Sequence, residues 1–373
     1  MTEGRLDSVE AAIEGIARGD LVVVVDDADR ENEGDLIMAA AKATPEAVAF
    51  MVRHTSGILC APVTRHDAHR LRLDPMVQVN DAPLGTAFTV SVDYREGLTT
   101  GISADERCNT VRALANPNVG AHDFVRPGHV FPLVARDGGV LVRSGHTEAA
   151  VDLARMADLP AVGLLAELVN DDGTVKRLSG CRAFAREHGL RIIAVADIIA
   201  YRLRREHLVE RLSSFEVMTP AGSARGYLYG TRFDPHRHLV LVFGAIGTEH
   251  AIPVRIHRED VLSDAFGPRD GPHASVLARA LERLAGGTGG VLVYLREGSA
   301  GVPVQPVHGE DALDDGGRPG RTRDEEWREI GVGAQILRDL GVTSMRLLAT
   351  QRRRYVGLEG FGIAIEGTDI LDA

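Results

Sequence analysis

The sequence predicts an α+β protein made of two α/β-type domains, and three observations carry that reading. First, 373 residues exceed what one hydrophobic core usually serves, since domains run to about 100–200 residues. Second, short β-branched or apolar runs alternate with amphipathic stretches from end to end. Third, apolar residues make up 44% and charged residues 25% of the chain, enough apolar surface for packed cores and too balanced for wholesale disorder.

Leu21–Val25 (LVVVV) reads as a buried strand that delivers an acidic loop at Asp26-Asp27. Thr44-Pro45-Glu46 reads as an N-cap and first turn of a helix to about Arg53. Gly57–Val63 and Ala87–Val92 read as strands, the second half-solvated because its side chains alternate. Ser103 and Glu106 fit a capping box for a helix to about Ala115. Thr147 caps a helix closed by Pro160, and strand Ala161–Leu168 follows. Helix Ser179–His188 ends at Gly189, before strand Leu190–Val195. A polar helix from Asp197 to about Arg211 and the pair Ser213-Ser214 mark the expected boundary, giving domains 1–211 and 212–373. Beyond it HLVLVFG, AIPVRIH, GGVLVYLRE and SMRLLAT read as strands, with helices near His273–Ala285 and Val332–Leu340. Gly298–Arg323 reads as a long mobile loop.

A net charge of -11 disfavours nucleic acid and anionic membranes as partners, because both select basic surfaces. The acidic N-terminal stretch lacks the basic head and apolar run of a signal peptide, and no run reaches membrane-spanning length, so a cytoplasmic location is expected. Cys60, Cys108 and Cys181 are too few and too scattered for a disulfide framework.

Asp26–Asp35 (DDADRENEGD) concentrates carboxylates after a buried strand. It is either a solvated acidic turn or a site whose cations offset the crowding, with hard oxygen ligands suited to Mg²⁺ or Mn²⁺. RSGHTEAA (Arg143–Ala150) sets His146 and Thr147 at a helix start, where backbone N–H groups favour an anion such as phosphate. Taken alone, His146 is either a capping residue or a ligand. RPGHVFP presents His129 on a Pro-flanked loop, and Glu167 ends an apolar strand as a solvated cap or an acid/base.

Together DDADRENEGDLIMAA, RHTSGILCAP, TTGISADERCNTVRA, RPGHVFPL, RSGHTEAAVDLARMA and AELVNDDGT, in this order, resemble the 3,4-dihydroxy-2-butanone 4-phosphate synthase family from about Val9 to Arg205. The resemblance implies a compact α+β domain that forms a homodimer. It implies conversion of ribulose 5-phosphate to formate and 3,4-dihydroxy-2-butanone 4-phosphate in riboflavin biosynthesis, by enolisation, loss of water, a carbon shift and expulsion of formate. It also implies Glu31 and His146 as ligands of paired Mg²⁺ or Mn²⁺ ions, and Arg30 and Asp35 against substrate oxygens. Arg143, Ser144, Gly145 and Thr147 fall around the substrate phosphate, with Ser144 a departure where many relatives carry Gly. His129 and Glu167 match residues essential to the family, and Cys60 falls at a family cysteine.

From about Phe215 to Gly367 the chain resembles GTP cyclohydrolase II, on HLVLVFG, RIHREDVLSDAFG, ALERLAGGTGGVLVYLRE, GVGAQILRDLGVTSMRLLAT and VGLEGFG. That family holds Zn²⁺ with three cysteines, whereas here Asp260 takes the first position and no cysteine follows Cys181. No zinc is therefore expected; Asp260, Asp270 and His273 are the nearest alternative ligands. Arg328 aligns with a catalytic Arg, but Ile330 replaces its Tyr neighbour. The expectation is a synthase with a catalytically inactive second half. The alternatives are a bifunctional enzyme, or a nucleotide-binding or assembly module.

Overall fold

The computed structural model describes residues 6–27, 30–231, 236–246, 251–268, 275–287, 289–296, 323–350 and 363–371. The chain divides into two compact units, residues 1–201 and 202–373.

In the first unit α1 (Val9–Arg18) precedes β1 (Val22–Val25) and β2 (Gly34–Ala39). Then come α2 (Pro45–His54), β3 (Cys60–Val63), α3 (Arg65–Leu71), β4 (Val92–Tyr94), α4 (Ala104–Leu114) and β5 (Phe124–Val134). The unit ends with α5 (His146–Met156), β6 (Gly163–Glu167), α6 (Leu178–His188), β7 (Arg191–Ala194) and the start of α7 (Val195–Arg205). Its seven strands form one mixed sheet in the order β4-β5-β3-β6-β2-β1-β7, with β1–β7 and β3–β5 parallel. Successive side chains of a strand point to opposite faces. Val23, Val25, Leu36 and Met38 accordingly join Val48 and Met51 of α2, Val111 and Leu114 of α4 and Phe184 of α6 in one core. Asp35 and Ile37 face the other way, toward α5, and α1 packs beside α5.

The helix signals act as read. Thr44 accepts the Ala47 N–H, and Gly189 closes α6 in the left-handed region at φ 65°. The capping box is modified: Ser103 caps Glu106 N–H, but the Glu106 carboxylate accepts from Thr99 N, Thr99 Oγ1 and Ser103 Oγ. It thereby fastens the preceding loop instead of the cap's own N–H.

Several expectations are corrected. RPGHVFP is not a loop but part of β5, entered through a cis Arg126–Pro127 bond. The strand expected at Gly57–Val63 starts only at Cys60, because Gly57 turns the chain with φ 77°. Ala87–Ser91 meets its neighbours through isolated bridges of Phe88 and Thr89, and the regular strand starts at Val92. The cap of α5 is Gly145 without a side-chain bond, and Thr147 sits inside the first turn.

The expected boundary also moves. The helix ends at Arg205, and Ser213-Ser214 are not a linker but pair with Leu228 and Tyr227 in the second sheet. Strand pairing wins over their turn preference. Buried Gln335 donates to the carbonyls of Leu203 and Glu206 and accepts the Leu208 N–H, tying residues 203–208 into the second unit.

The second unit comprises β8 (Val209–Thr219), β9 (Gly222–Thr231), β10 (Arg237–Gly244), β11 (Ile252–Arg258), α8 (Val261–Phe266) and α9 (Val276–Ala285). β12 (Gly289–Leu295), α10 (Arg323–Asp339), β13 (Ser344–Ala349) and β14 (Ala364–Ile370) complete it. The sheet order is β14-β13-β11-β12-β10-β9-β8, and α9 covers one face over Leu241, Phe243 and Leu292. The hairpin β8–β9 was invisible to pattern reading because β8 is exposed along most of its length and carries no apolar alternation. Most of the loop expected at Gly298–Arg323, together with Asp270 and His273, lies outside the described residues, as do the side chains of Arg328 and Ile330.

Gly34 opens the strand that carries Asp35, and a Cβ there would collide with Cys181 Sγ and stand 3.2 Å from Val25 Cγ1. Overpacking of this kind costs about 1–3 kcal/mol. Gly34→Ala should therefore lower stability in urea unfolding by that amount, and Gly34→Ala/Cys181→Ala should recover part of it. Equal losses in the single and double variants would show that the thiol is not the obstacle.

Candidate active site

The acidic loop between β1 and β2 is organised by Asp26. Its carboxylate accepts the N–H groups of Glu31 (3.0 Å) and Glu33 (2.8 Å) and the Arg30 guanidinium (2.9 Å). Arg177, just before α6, donates to the carbonyls of Glu31 and Asn32. With its backbone so held, the loop projects Glu31 toward the start of α5, where His146 Nδ1 lies 3.7 Å from Glu31 Oε2 and 3.9 Å from Asp35 Oδ2. These distances are electrostatic contacts, too long for hydrogen bonds. Asp35 and Glu167 are directly opposite in the β2–β6 ladder, and Cys60 pairs Leu165 one step along the same face. The α5 face of the sheet thus carries a carboxylate pair beneath a histidine.

Charge on these groups is strongly redistributed. His146, beside Arg30, holds Glu31 down to about 2 against the opposing effect of burial. Burial pushes Asp35 up to about 7, with Glu167, Glu31 and Glu33 adding repulsion and His146 opposing it. Burial alone would lower His146, but Asp35, Glu31 and Asp26 outweigh it and raise the imidazole to about 9. Burial likewise pushes the Cys60 thiol up, which leaves it an inert packed side chain.

The cluster fits a hard divalent cation. Ligand atoms of Asp26, Glu31 and His146 lie within 4.8 Å of one another, the one such group among the described residues. Both Asp35 Oδ1 and His146 Nε2 are buried without a hydrogen-bond partner, an arrangement that costs free energy unless something meets them. Asp26 already serves three donors, whereas His146 Nε2 has no hydrogen-bond partner.

Gly145 lies where two cations converge. A Cβ there would collide with Arg143 Nη1 and stand 2.9 Å from Glu148 Oε2 and 3.1 Å from Arg30 Nη2. Arg143 is steadied by buried Glu148 (2.8 Å), Leu84 O and Thr86 Oγ1. Ser144 is half-buried beside it, and Gly145 and Thr147 are buried. Two guanidiniums, each paired with a carboxylate, thus meet at the start of an eleven-residue helix, a place that favours anions. Glu167 Oε2 accepts the Ser56 hydroxyl at 2.7 Å.

His129 is partnered by Asp93 of β4, not by a member of the acidic cluster. Sequence reading missed Asp26, Ser56 and Glu148 inside the quoted motifs and Asp93 and Arg177 outside them, because the role of each depends on a contact distant in sequence or on the loop's own turn.

A 3,4-dihydroxy-2-butanone 4-phosphate synthase model matches residues 10–201 and a GTP cyclohydrolase II model matches residues 210–369. The chain belongs to the 3,4-dihydroxy-2-butanone 4-phosphate synthase family. Its first unit is such a synthase, an enzyme of riboflavin biosynthesis, joined to a domain of the GTP cyclohydrolase II family. The chain is 47% identical to the chloroplastic bifunctional riboflavin biosynthesis protein RIBA 1 of Arabidopsis thaliana, over 96% of this chain and 68% of that protein. It is similar in structure to RibBX, a two domain 3,4-dihydroxy-2-butanone 4-phosphate synthase from A. baumannii, with TM-score 0.81 and 36% identity over 98% and 99% of the two chains. A 3,4-dihydroxy-2-butanone 4-phosphate synthase in complex with two magnesium ions matches 54% of this chain and 98% of its own, at TM-score 0.52 and 44% identity.

His146 of the synthase unit is raised from 6.5 to about 9. It contributes stability that is fully present below about 6.5 and lost as pH rises through about 9. The melting temperature in chelator should fall between pH 7 and 9, and His146→Asn should flatten that fall; parallel curves for the two proteins would contradict the linkage.

Proposed function

We propose that the synthase unit converts D-ribulose 5-phosphate to 3,4-dihydroxy-2-butanone 4-phosphate and formate, with Glu31 and His146 holding Mg²⁺ or Mn²⁺, two ions per site. The observation that carries this reading is the buried, unpartnered pair Asp35 Oδ1 and His146 Nε2 within a ring of carboxylates. Such a cation polarises a carbonyl and stabilises the negative charge of enolisation. Arg30 and Asp35 orient substrate oxygens. Arg143, with the backbone of Ser144, Gly145 and Thr147, takes the phosphate, which the convergence of guanidiniums at Gly145 supports. Glu167, its carboxylate oriented by Ser56, and His129 move protons. The two products together contain all the atoms of the substrate, so no redox cofactor is required.

The unit acts as a homodimer in this reading, in the cytoplasm, without nucleic-acid or membrane partners. Exposed Ile58, Val77, Val79, Leu84 and Ile102 support self-association. Among the described residues no helix is long and apolar enough to cross a membrane.

The second unit does not hydrolyse GTP in this reading. No cysteine follows Cys181, and Asp260, at the first cysteine position, caps α8 by accepting the Ser263 N–H. A zinc hydrolase needs the ion to lower the pKa of water. The description of RibBX as a two domain synthase supports a non-hydrolytic role, such as assembly or nucleotide binding. The bifunctional reading has its own support in the name of the Arabidopsis relative.

Chelation should abolish formate release from ribulose 5-phosphate, and Mg²⁺ or Mn²⁺ should restore it. Glu31→Gln and His146→Ala should each lose about 10²-fold or more in turnover, the equivalent of several kcal/mol of charge stabilisation. Glu167→Gln should lower kcat by about 10²–10⁴-fold with substrate binding retained. Near-normal turnover of either ligand variant in metal-depleted buffer refutes the metal assignment.

For the second unit, the purified chain should hold no stoichiometric zinc and release no formate from GTP with added Zn²⁺. Zinc at one per chain with GTP-dependent formate at ordinary enzymatic rates restores the bifunctional reading.

A further inference from the structure

The residues around His129 form a built constellation of their own. Asp93 is 3% exposed, and both its oxygens are committed to a single residue. Oδ1 accepts the His129 backbone N–H at 2.8 Å, and Oδ2 lies 2.7 Å from the ring Nδ1. Chelation of backbone and ring by one carboxylate fixes the imidazole in position and in rotation. It also selects the tautomer of the neutral ring, because a carboxylate oxygen can only accept: Nδ1 then carries the proton and Nε2 presents the lone pair. The ring retains 40% side-chain exposure while Asp93 has 4%, so the orienting group is hidden and the ring is accessible.

The TTGISADE motif supplies the cover. Gly101, at φ 86°, lies so close over the dyad that a Cβ would collide with Asp93 Oδ2 and stand 2.7 Å from His129 Nδ1. Only glycine satisfies both the left-handed backbone and the approach. Glu106 anchors this loop through Thr99 N and Oγ1 and Ser103 Oγ. Beneath, Gly128 lets β5 close on β4, since a Cβ there would collide with the backbone of Val92 and Asp93. Arg107, 6% exposed, adds a favourable field at Asp93 from α4. The carboxylate of Asp93 is thus closely packed, with 4% side-chain exposure.

We propose that Asp93 is the positioning residue of the synthase reaction, holding His129 as the Nδ1–H tautomer with Nε2 free to take a substrate proton, under the Gly101 roof. This rests on the reading that His129 moves protons. Asp93 itself touches no substrate and acts only through the ring.

The test uses the full chain with Mg²⁺. In Asp93→Asn the amide is isosteric and can donate to Nδ1, which turns the ring to the Nε2–H tautomer. In Ser-His-Asp enzymes that exchange costs about 10⁴-fold in kcat. Here kcat should fall by about 10²–10⁴-fold, with KM for ribulose 5-phosphate within about threefold of wild type, and Asp93→Glu should recover part of the loss. Imidazole ¹⁵N shifts of histidine-labelled protein, assigned with His129→Asn and read at the neutral-ring end of the titration, should show Nδ1 protonated in wild type. A merely structural aspartate would not set that signature, and the wild-type measurement decides even if Asp93→Asn fails to fold. An Nε2–H ring in wild type, or unchanged kcat in Asp93→Asn while His129→Asn loses over about 10²-fold, overturns the proposal. Full turnover in His129→Asn would instead sink the proton-transfer reading, and the tautomer would still judge Asp93.

Discussion

The synthase unit depends on one electrostatic constraint: carboxylates gathered on the face of a sheet beneath the buried N-terminus of α5. Asp35 is 3% exposed and His146 is 6% exposed, so neither solvent nor salt relieves the crowding around them. The imidazole tolerates charge only because of the carboxylates, and Asp35 bears ionisation only because of the imidazole. Much of the surrounding structure serves to keep these groups together. Asp26 and Arg177 hold the loop backbone, the β2–β6 register sets Glu167 opposite Asp35, and Gly163 lets α5 approach β6 so closely that a Cβ would stand 2.6 Å from Ala150 Cβ. A conventional apolar core on the far face bears the cost.

Wherever local chemistry decides structure, the sequence was legible. LVVVV is buried on both faces and became a strand; Thr44-Pro45, Ser103 and Gly189 acted as helix punctuation. The acidic loop and RSGHTEAA were separately ambiguous and became specific only as members of one ordered set of motifs. The structure then supplied what spacing cannot, namely that Glu31 and Asp35 each come within 4 Å of His146. His129 was the instructive failure of context. Pro127 and Gly128 read as loop punctuation, yet the glycine serves close strand contact and the proline sits where no ladder bond is lost on β5. Its orienting partner, Asp93, is thirty-six positions away, and no local pattern announces a pairing of that range.

The second unit was legible at its buried strands and opaque at β8, an edge strand whose polar, exposed residues imitate a linker. Its long-range polar contacts were equally hidden. Arg211 and Tyr229 both meet Asp339 of α10, and Gln335 on the same helix binds three backbone groups of residues 203–208. Buried Gln335 and Tyr229 are satisfied by these bonds, and satisfied buried groups specify one arrangement among many that apolar packing alone would permit.

In the α8 corner, Asp264 accepts from Tyr294 (2.8 Å) and the Asp260 N–H (2.8 Å) and lies 3.0 Å from His257 Nε2, while Asp260 caps the helix. Side-chain and backbone bonds fasten this segment without calling on an ion for support. A substitution at a position outside these four bonds can therefore leave the corner's shape unchanged.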